Sequence, residues 1–159
     1  MKLINKLIVV ILLIGLTSCH KDDIPNYDLS TFSILVKESS GFVDFHYNAT
    51  IDQDGKLNIQ EEYGVFNQYR ESEYQIPSED VLLIKEKLSD LILINLSDKY
   101  GFHENAPTDE PTTKMKYVTI NKSDSTYWYH PTENEFPNEM KQFMQVVSET
   151  ISKVDTLKN

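Results

Sequence analysis

Few side chains of this sequence stand at the spacings that catalysis or metal binding requires. Cys19 is the only cysteine, so the chain offers one thiol and no internal disulfide. His46, His103 and His130 could supply nitrogen ligands, but no two of them are three or four residues apart, as in a compact helical metal site. No G-x-S-x-G run marks a serine nucleophile, and a hydrolase would need Asp109 and His103 to meet in one cleft. We therefore predict no enzyme activity, no metal and no cofactor.

An aromatic run, Tyr127-Trp128-Tyr129, has side chains suited to binding. Successive residues of a strand point to opposite faces, so Trp128 should point away from the two tyrosines. One side would then be core and the other an exposed aromatic face, which can stack on sugar rings or anchor a protein partner. In the alternative interpretation, Trp128 fills the core and the tyrosines lean on their neighbours, a common use of aromatic residues in strands.

The segment from Gly101 to Thr113 contains two prolines and few apolar residues, which predicts a long loop of the kind that often carries function. Thr108, Asp109 and Thr112 are the candidate binding residues in this loop. Alternatively, their side chains satisfy backbone amides of the loop itself, a structural role that short polar side chains commonly take in turns.

A leader precedes Cys19: Lys2 and Lys6, then an apolar stretch from Leu7 to Leu16 that is too short to span the ~30 Å core of a bilayer comfortably. With the cysteine first after the cleavage site, the segment resembles a bacterial lipoprotein lipobox, whose thiol takes a diacylglycerol and whose new amino end takes a further acyl chain. The resemblance implies a signal peptide over residues 1–18 and lipidation of Cys19. Two or three acyl chains hold a protein firmly in a membrane.

Residues 19–30 are polar and contain Pro25, which predicts a flexible tether. The run His20-Lys21-Asp22-Asp23 resembles the charged export tag of surface-exposed lipoproteins of Bacteroidota. This resemblance implies a protein that is lipid-anchored to the outer membrane and displayed at the cell surface; an anchor facing the periplasm is the alternative.

The chain is acidic, with 25 carboxylate side chains against 15 lysines and arginines and a net charge of −10. Such a field repels phosphate backbones, so we predict no nucleic-acid partner. The charge is compatible with cationic partners and with divalent ions. Alternatively, acidic residues scattered along the chain serve only to keep the protein soluble. The charge suggests an alternative function, inhibition of a cationic secreted enzyme such as a lysozyme or a protease.

Apolar residues alternate with polar ones from Thr31 to Ile76, which predicts four strands with one buried face and a charged edge strand from about Tyr69. A glycine turn, Asp52-Gln53-Asp54-Gly55, joins the second and third strands. The stretch from Thr50 to Glu61 also partly matches a calcium-binding loop, but that motif needs flanking helices, so the pattern favours a plain hairpin.

Two helices and a second hairpin complete the pattern. Ser78 should cap the first helix, whose apolar stripe is widened by Leu82 and Leu83. The hairpin covers Met115 to His130, and a helix after Pro137 has apolar residues at spacings of three and four. The order ββββαββα predicts an α+β domain over residues 31–154, in which two helices pack on one face of an antiparallel sheet of about six strands. Residues 155–159 should fray.

A further resemblance rests on Ser97-Asp98-Lys99-Tyr100, followed by Thr108-Asp109-Glu110-Pro111-Thr112, two strands and a proline-started helix. This order is similar to an uncharacterised family of small Bacteroidota lipoprotein domains with a Leu-x-Asp-x-Tyr segment and a Thr-Asp-x-Pro-Thr loop. Such domains often carry paired cysteines before the first hairpin, where this chain has Ser39-Ser40-Gly41. The resemblance implies an architecture and no activity.

These features together predict a non-enzymatic binding or accessory module that contacts an envelope protein or a glycan and is held to the membrane by its N-terminal lipid. Asp124-Ser125-Thr126 and Asp155-Thr156-Leu157 resemble the short O-glycosylation sequon of Bacteroidota, and we expect a turn and a frayed tail to present them.

Overall fold

The computed structural model describes residues 27–40, 44–101, 111–129 and 135–156. Within these residues the chain forms seven strands and two helices. The strands are β1 (Phe32–Ser40), β2 (Phe45–Asp52), β3 (Lys56–Tyr63), β4 (Gln68–Gln75), β5 (Lys99–Tyr100), β6 (Thr112–Thr119) and β7 (Ser123–Tyr129). The helices are α1 (Ser78–Ile92) and α2 (Asn138–Thr156), and a short 3-10 turn, Gly64–Phe66, joins β3 to β4.

All the described strands join one sheet in the order β4-β3-β2-β1-β6-β7-β5. The α+β class is confirmed, but the prediction of an antiparallel sheet of about six strands is wrong in two respects. The sheet has a seventh strand, β5, and this strand pairs with β7 in parallel, which makes the sheet mixed. Because β5 contains two residues, it is too short to show a period in the sequence. The charged strand β4 lies at the sheet edge, as predicted.

One face of the sheet is buried and carries the core. Alternate residues of the central strands are almost fully buried, among them Ile34, Ile51, Leu57, Met115 and Tyr117. They share one apolar cluster with residues of both helices, including Ile84, Leu88, Phe143 and Val147. The period of two in the sequence therefore reports the buried face correctly. Leu82 and Leu83, however, are exposed (67% and 40%), so the expected widening of the α1 stripe is wrong: the two residues face solvent.

The start of α1 differs from the prediction. Ser78 is the first helical residue, Pro77 takes the cap position, and no side chain caps the helix. The first turn carries Glu79 and Asp80, whose charges suit the positive end of the helix dipole. Asp80 is buried and accepts a hydrogen bond of 2.8 Å from Lys153 Nζ, which ties α1 to α2. The helix α2 extends to Thr156, two residues into the predicted tail.

The turn between β2 and β3 is a hairpin turn, as predicted. Asp52 Oδ1 accepts hydrogen bonds from the backbone amides of Asp54 and Lys56, each 3.0 Å long. Gly55 has a φ of +77°, and a Cβ there would lie 2.8 Å from Val81 Cγ2. Glycine is therefore required both by the backbone conformation and by the close approach of α1.

Candidate binding face

The second face of the sheet is left uncovered by the two helices, and we call it the open face. One row of cross-strand partners runs over it from edge to edge. In spatial order from β4 to β5, the row consists of Glu71, Gln60, Asn48, Lys37, Lys114, Tyr127 and Lys99. The charges are therefore separated along the row, with a carboxylate at one end and three lysines toward the other.

The acidic end of the open face is internally hydrogen-bonded. Glu71 accepts hydrogen bonds from the side chains of Asn58, Gln60 and Tyr69. These donors, Asn58 first, hold the pKa of Glu71 below its usual range, so the carboxylate stays ionised. Lys56 Nζ lies 2.8 Å from Glu73 Oε2 in the next row. Glu71 and Glu73 thus already have partners within the fold.

The basic end has a different arrangement. Lys37 on β1 and Lys114 on β6 are direct cross-strand partners, and both side chains are exposed. Among the described residues, no carboxylate lies within 4.0 Å of either ammonium group. Like charges directly opposite one another destabilise a sheet. In a chain with more acidic than basic residues, this uncompensated pair marks a place where an anion would be stabilising.

A concavity of about 460 Å³ lies against this pair, and we call it the lysine–tyrosine pocket. Its lining consists of Lys37, Ser39, Thr112, Thr113, Lys114 and Tyr127. Ser39 Oγ and Thr112 Oγ1 form a hydrogen bond of 2.9 Å at one end. At the other side, Lys99 Nζ lies 5.4 Å from the centre of the Tyr127 ring, which is cation–π distance. The pocket thus combines positive charge, hydroxyl groups and one aromatic ring.

Three of the residues selected from the sequence lie together on the open face. Thr112 and Tyr127 line the lysine–tyrosine pocket, and Tyr129 is the cross-strand partner of Thr112. Trp128 points the other way, as predicted: it is 3% exposed and packs edge-on against Phe136, with ring centres 5.1 Å apart. Trp128 therefore belongs to the core and supports the strand that carries the two tyrosines.

Several predictions lie outside the described residues: the lipid acceptor Cys19, the loop residues Thr108 and Asp109, and the histidines His103 and His130. The hydrolase hypothesis, which needs Asp109 beside His103, stays a prediction for the same reason. Of the first glycosylation sequon, Ser125 lies half-buried within β7 instead of in a turn, because that strand begins at Ser123. The side chains of Asp155 and Thr156, in the second sequon, also lie outside the described part.

His46 is the histidine whose surroundings the structure describes. Its Nε2 lies 3.4 Å from Asp44 Oδ1. Within the described ranges, no group of three or more histidine, cysteine or acidic side chains lies close enough together to hold a metal ion. Over the same ranges, neither helix is long and apolar enough to cross a membrane.

A comparison with protein families gives a match over residues 46–151, two thirds of the 159-residue chain. The matched family is described as Domain of unknown function (DUF6438). The chain belongs to the DUF6438 family. No curated protein matches the chain significantly.

The range matched by the DUF6438 family begins within β2 and leaves out β1. β1 is nevertheless flanked in the sheet by β2 and β6. Of the lysine–tyrosine pocket, Thr112, Lys114 and Tyr127 lie inside the matched range, whereas Lys37 and Ser39 lie before it. The pocket of this member of the family is thus completed by a strand outside the matched range.

A second concavity, of about 630 Å³, lies on the helix-covered side between the sheet and α2. Its apolar lining comes from the sheet and the C-terminal segment: Val36, Trp128, Phe136, Met144, Val147 and Ile151. The polar side chains of Gln145, Ser148 and Ser152 are exposed at its rim. The buried Thr113 lines it as well. Because its apolar lining belongs to the core cluster or packs against it, we interpret the concavity as a partly covered section of the core.

Sequence reasoning missed the lysines of the pocket. Lys114 and Lys116 alternate with the buried residues Met115 and Tyr117, a pattern that places both lysines on the open face. That signal was present in the sequence. The pairing of Lys37 with Lys114 was not, because it depends on the register of two strands that are far apart along the chain.

Proposed function

We propose that this chain is a lipid-anchored protein of the outer membrane, exposed at the cell surface, whose domain is a non-enzymatic binding module. Its contact surface is the basic end of the open face. The observation that carries the proposal is the Lys37–Lys114 pair, two like charges side by side with no carboxylate within 4.0 Å among the described residues. An arrangement that costs the fold stability is explained if a partner neutralises it.

The anchor part of the proposal is supported by the leader and by Cys19. The test is fractionation of cells that carry the wild-type chain or Cys19→Ser, with labelled palmitate as the lipid precursor. The wild-type chain should fractionate with the outer membrane and carry label, whereas the variant should lose both properties. A variant that stays in the membrane fraction would contradict the anchor.

The same residue makes the contact surface testable. Cys19 is the only cysteine, so once it is lipidated an introduced cysteine is the only free thiol of the chain. Lys116→Cys places a thiol beside the lysine–tyrosine pocket without altering its lining, and Leu82→Cys places one on the exposed side of α1. A membrane-impermeant maleimide should label Leu82→Cys in intact cells; failure to do so would contradict surface display.

A photoreactive crosslinker attached to each thiol then tests the contact surface. Crosslinks to an envelope component should form from position 116 and not from position 82. Equal crosslinking from both positions, or none from position 116, would contradict a binding module that uses the open face.

Inhibition of a cationic enzyme, suggested by the net charge, receives less support from the geometry. Two carboxylates at the acidic end of the open face are engaged with internal partners, Glu71 with Asn58 and Glu73 with Lys56. To bind a cationic enzyme through these carboxylates, the domain would have to break their internal contacts or bind while the contacts stay formed. Lys37 and Lys114, by contrast, have no carboxylate within 4.0 Å among the described residues.

A further inference from the structure

The lysine–tyrosine pocket has the chemistry of an anion site. Lys37 and Lys114 stand opposite each other on neighbouring strands, where the Cβ atoms of cross-strand partners are about 5 Å apart. An anionic group placed between the two ammonium groups would replace their repulsion with two attractive contacts. Because the side chains are exposed, such contacts depend on salt and on more than one charge being engaged at a time.

The rest of the lining favours a ligand with hydroxyl groups and a flat apolar side. The half-buried Tyr127 ring offers such a ligand an aromatic surface. Ser39 Oγ and Thr112 Oγ1 are hydrogen-bonded to each other, and each hydroxyl keeps capacity for a further bond. Sugar rings combine an apolar face with peripheral hydroxyl groups, which matches this lining.

Phosphate compounds match the pocket less well. Compact phosphate sites are built from free backbone amides at helix N-termini or in glycine-rich nests. Here β6 pairs with β1 on one side and β7 on the other, so its backbone amides belong to the ladders of the sheet. Side-chain ammonium and hydroxyl groups remain, and these suit carboxylate or sulfate groups carried on a saccharide.

We propose that the lysine–tyrosine pocket binds an acidic saccharide, one whose sugar rings carry carboxylate or sulfate groups. This assignment rests on the proposed function and names the ligand class for the same surface. The volume of about 460 Å³ is within the range of small-ligand sites. The pocket lies on an open sheet surface, so the sugar bound can be part of a longer chain.

The test uses the full chain, extracted in detergent, and three polysaccharides as probes: polygalacturonate, chondroitin sulfate and uncharged dextran. Calorimetry at low salt should show binding of at least one acidic polymer and none of dextran. Lys114→Thr should weaken binding about tenfold, which corresponds to about 1.4 kcal/mol. Tyr127→Ala should weaken it as well, through loss of the aromatic surface.

A matched control distinguishes the contribution of the pocket to binding from the general effect of a positive charge on this face of the sheet. Lys116→Thr makes the same substitution one row away, at a residue whose cross-strand partners are Leu35 and Ser125. It removes the same charge but no pocket group, so the affinity should fall less than about threefold, as expected for an exposed charge. Equal losses in Lys114→Thr and Lys116→Thr, or equal binding of dextran, would overturn the assignment to an acidic saccharide.

A second copy of the chain is the competing occupant, because its acidic end around Glu71 could meet the basic end of the first. Sedimentation of the detergent-extracted chain should show the monomer. A dimer that dissociates in Lys114→Thr would overturn the saccharide proposal. If the probes fail to bind while the crosslinker at position 116 still captures an envelope component, the binding module stands and only its ligand class is wrong.

Discussion

Lys37 and Lys114 are cross-strand partners on the open face, although acidic residues outnumber basic ones in the chain. The pairing places two positive side chains directly opposite each other, nearer than diagonal neighbours on the same face of a sheet. Their repulsion acts on the fold when no ligand is present. The same two residues therefore connect the stability of the domain with its proposed binding.

Replacing Lys114 should stabilise the free protein. Lys114→Thr removes the repulsion from Lys37, and we expect the free energy of unfolding to rise by about 0.5 kcal/mol relative to Lys116→Thr, which makes the same change in β propensity. Urea denaturation at low salt measures the difference. At about 1 M salt, where the Debye length is ~3 Å, the two variants should become equally stable. A Lys114→Thr variant less stable than Lys116→Thr would contradict the repulsion.

A chain restricted to the range matched by the family should not fold. Residues 46–151 lack β1, which pairs with both β2 and β6 and contributes Ile34 and Val36 to the core. Without it the sheet is divided into two parts with new edges and an uncovered core. Circular dichroism and heat denaturation should show no cooperative transition for 46–151 and a clear one for 27–156. Cooperative unfolding of the shorter chain would contradict a structural role of β1.

Tyr117 carries a buried hydroxyl that has no hydrogen-bond partner among the described residues. Tyr117→Phe removes this unsatisfied group, so the free energy of unfolding should rise by about 1 kcal/mol. Burial is also the main cause that raises the pKa of Tyr117 above its ordinary value of 10.0. Because the fold disfavours the ionised phenolate, the free energy of unfolding does not depend on the ionisation of Tyr117 below pH 10 and falls as the pH rises further.

The pH dependence of Tyr117→Phe tests this assignment. The variant should lose less stability than the wild type when the pH is raised above 10, because the buried phenol no longer titrates. Tyr63→Phe, at an exposed ring on β3, is the control and should follow the wild type. Parallel curves for all three proteins would show that Tyr117 does not govern the alkaline loss.

The contact between Lys153 and Asp80 gives a second alkaline effect. The hydrogen bond to Asp80 is the main cause that raises the pKa of Lys153 above 10.5. The ion pair is therefore complete below pH 10.5 and is lost as Lys153 deprotonates at higher pH. A double-mutant cycle of Lys153→Met and Asp80→Asn, followed by denaturation, should give a favourable coupling at neutral pH that disappears in alkali. A coupling that does not change with pH would exclude the ion pair as its source.

The sequence predicts those parts of the fold that depend on local pattern. Alternation identifies the buried residues of β6, and spacings of three and four identify the buried stripe of α2, since each depends on neighbours along the chain. The strand β5 has no such pattern: it is held by the sheet, where Tyr127 N donates to Asp98 O at 3.1 Å. Its existence follows from tertiary pairing alone.

In the candidate site, too, some features follow from local pattern and others only from strand pairing. Alternation is enough to place Tyr127 and Tyr129 on one face and Trp128 on the other. Recognition of the lysine–tyrosine pocket also requires the register of β1 against β6, which brings Ser39 to Thr112 across 73 residues. No local feature of either strand fixes that register, because it is set by which buried residues fill the core together.

The position of β1 has a mechanical consequence. The strand nearest the N-terminal end of the described chain is held by antiparallel ladders on both sides, from β2 and from β6. Tension applied through that end therefore acts on the middle of the sheet, whereas an edge strand could separate one hydrogen bond at a time. Two sets of backbone hydrogen bonds must yield together before the domain gives way.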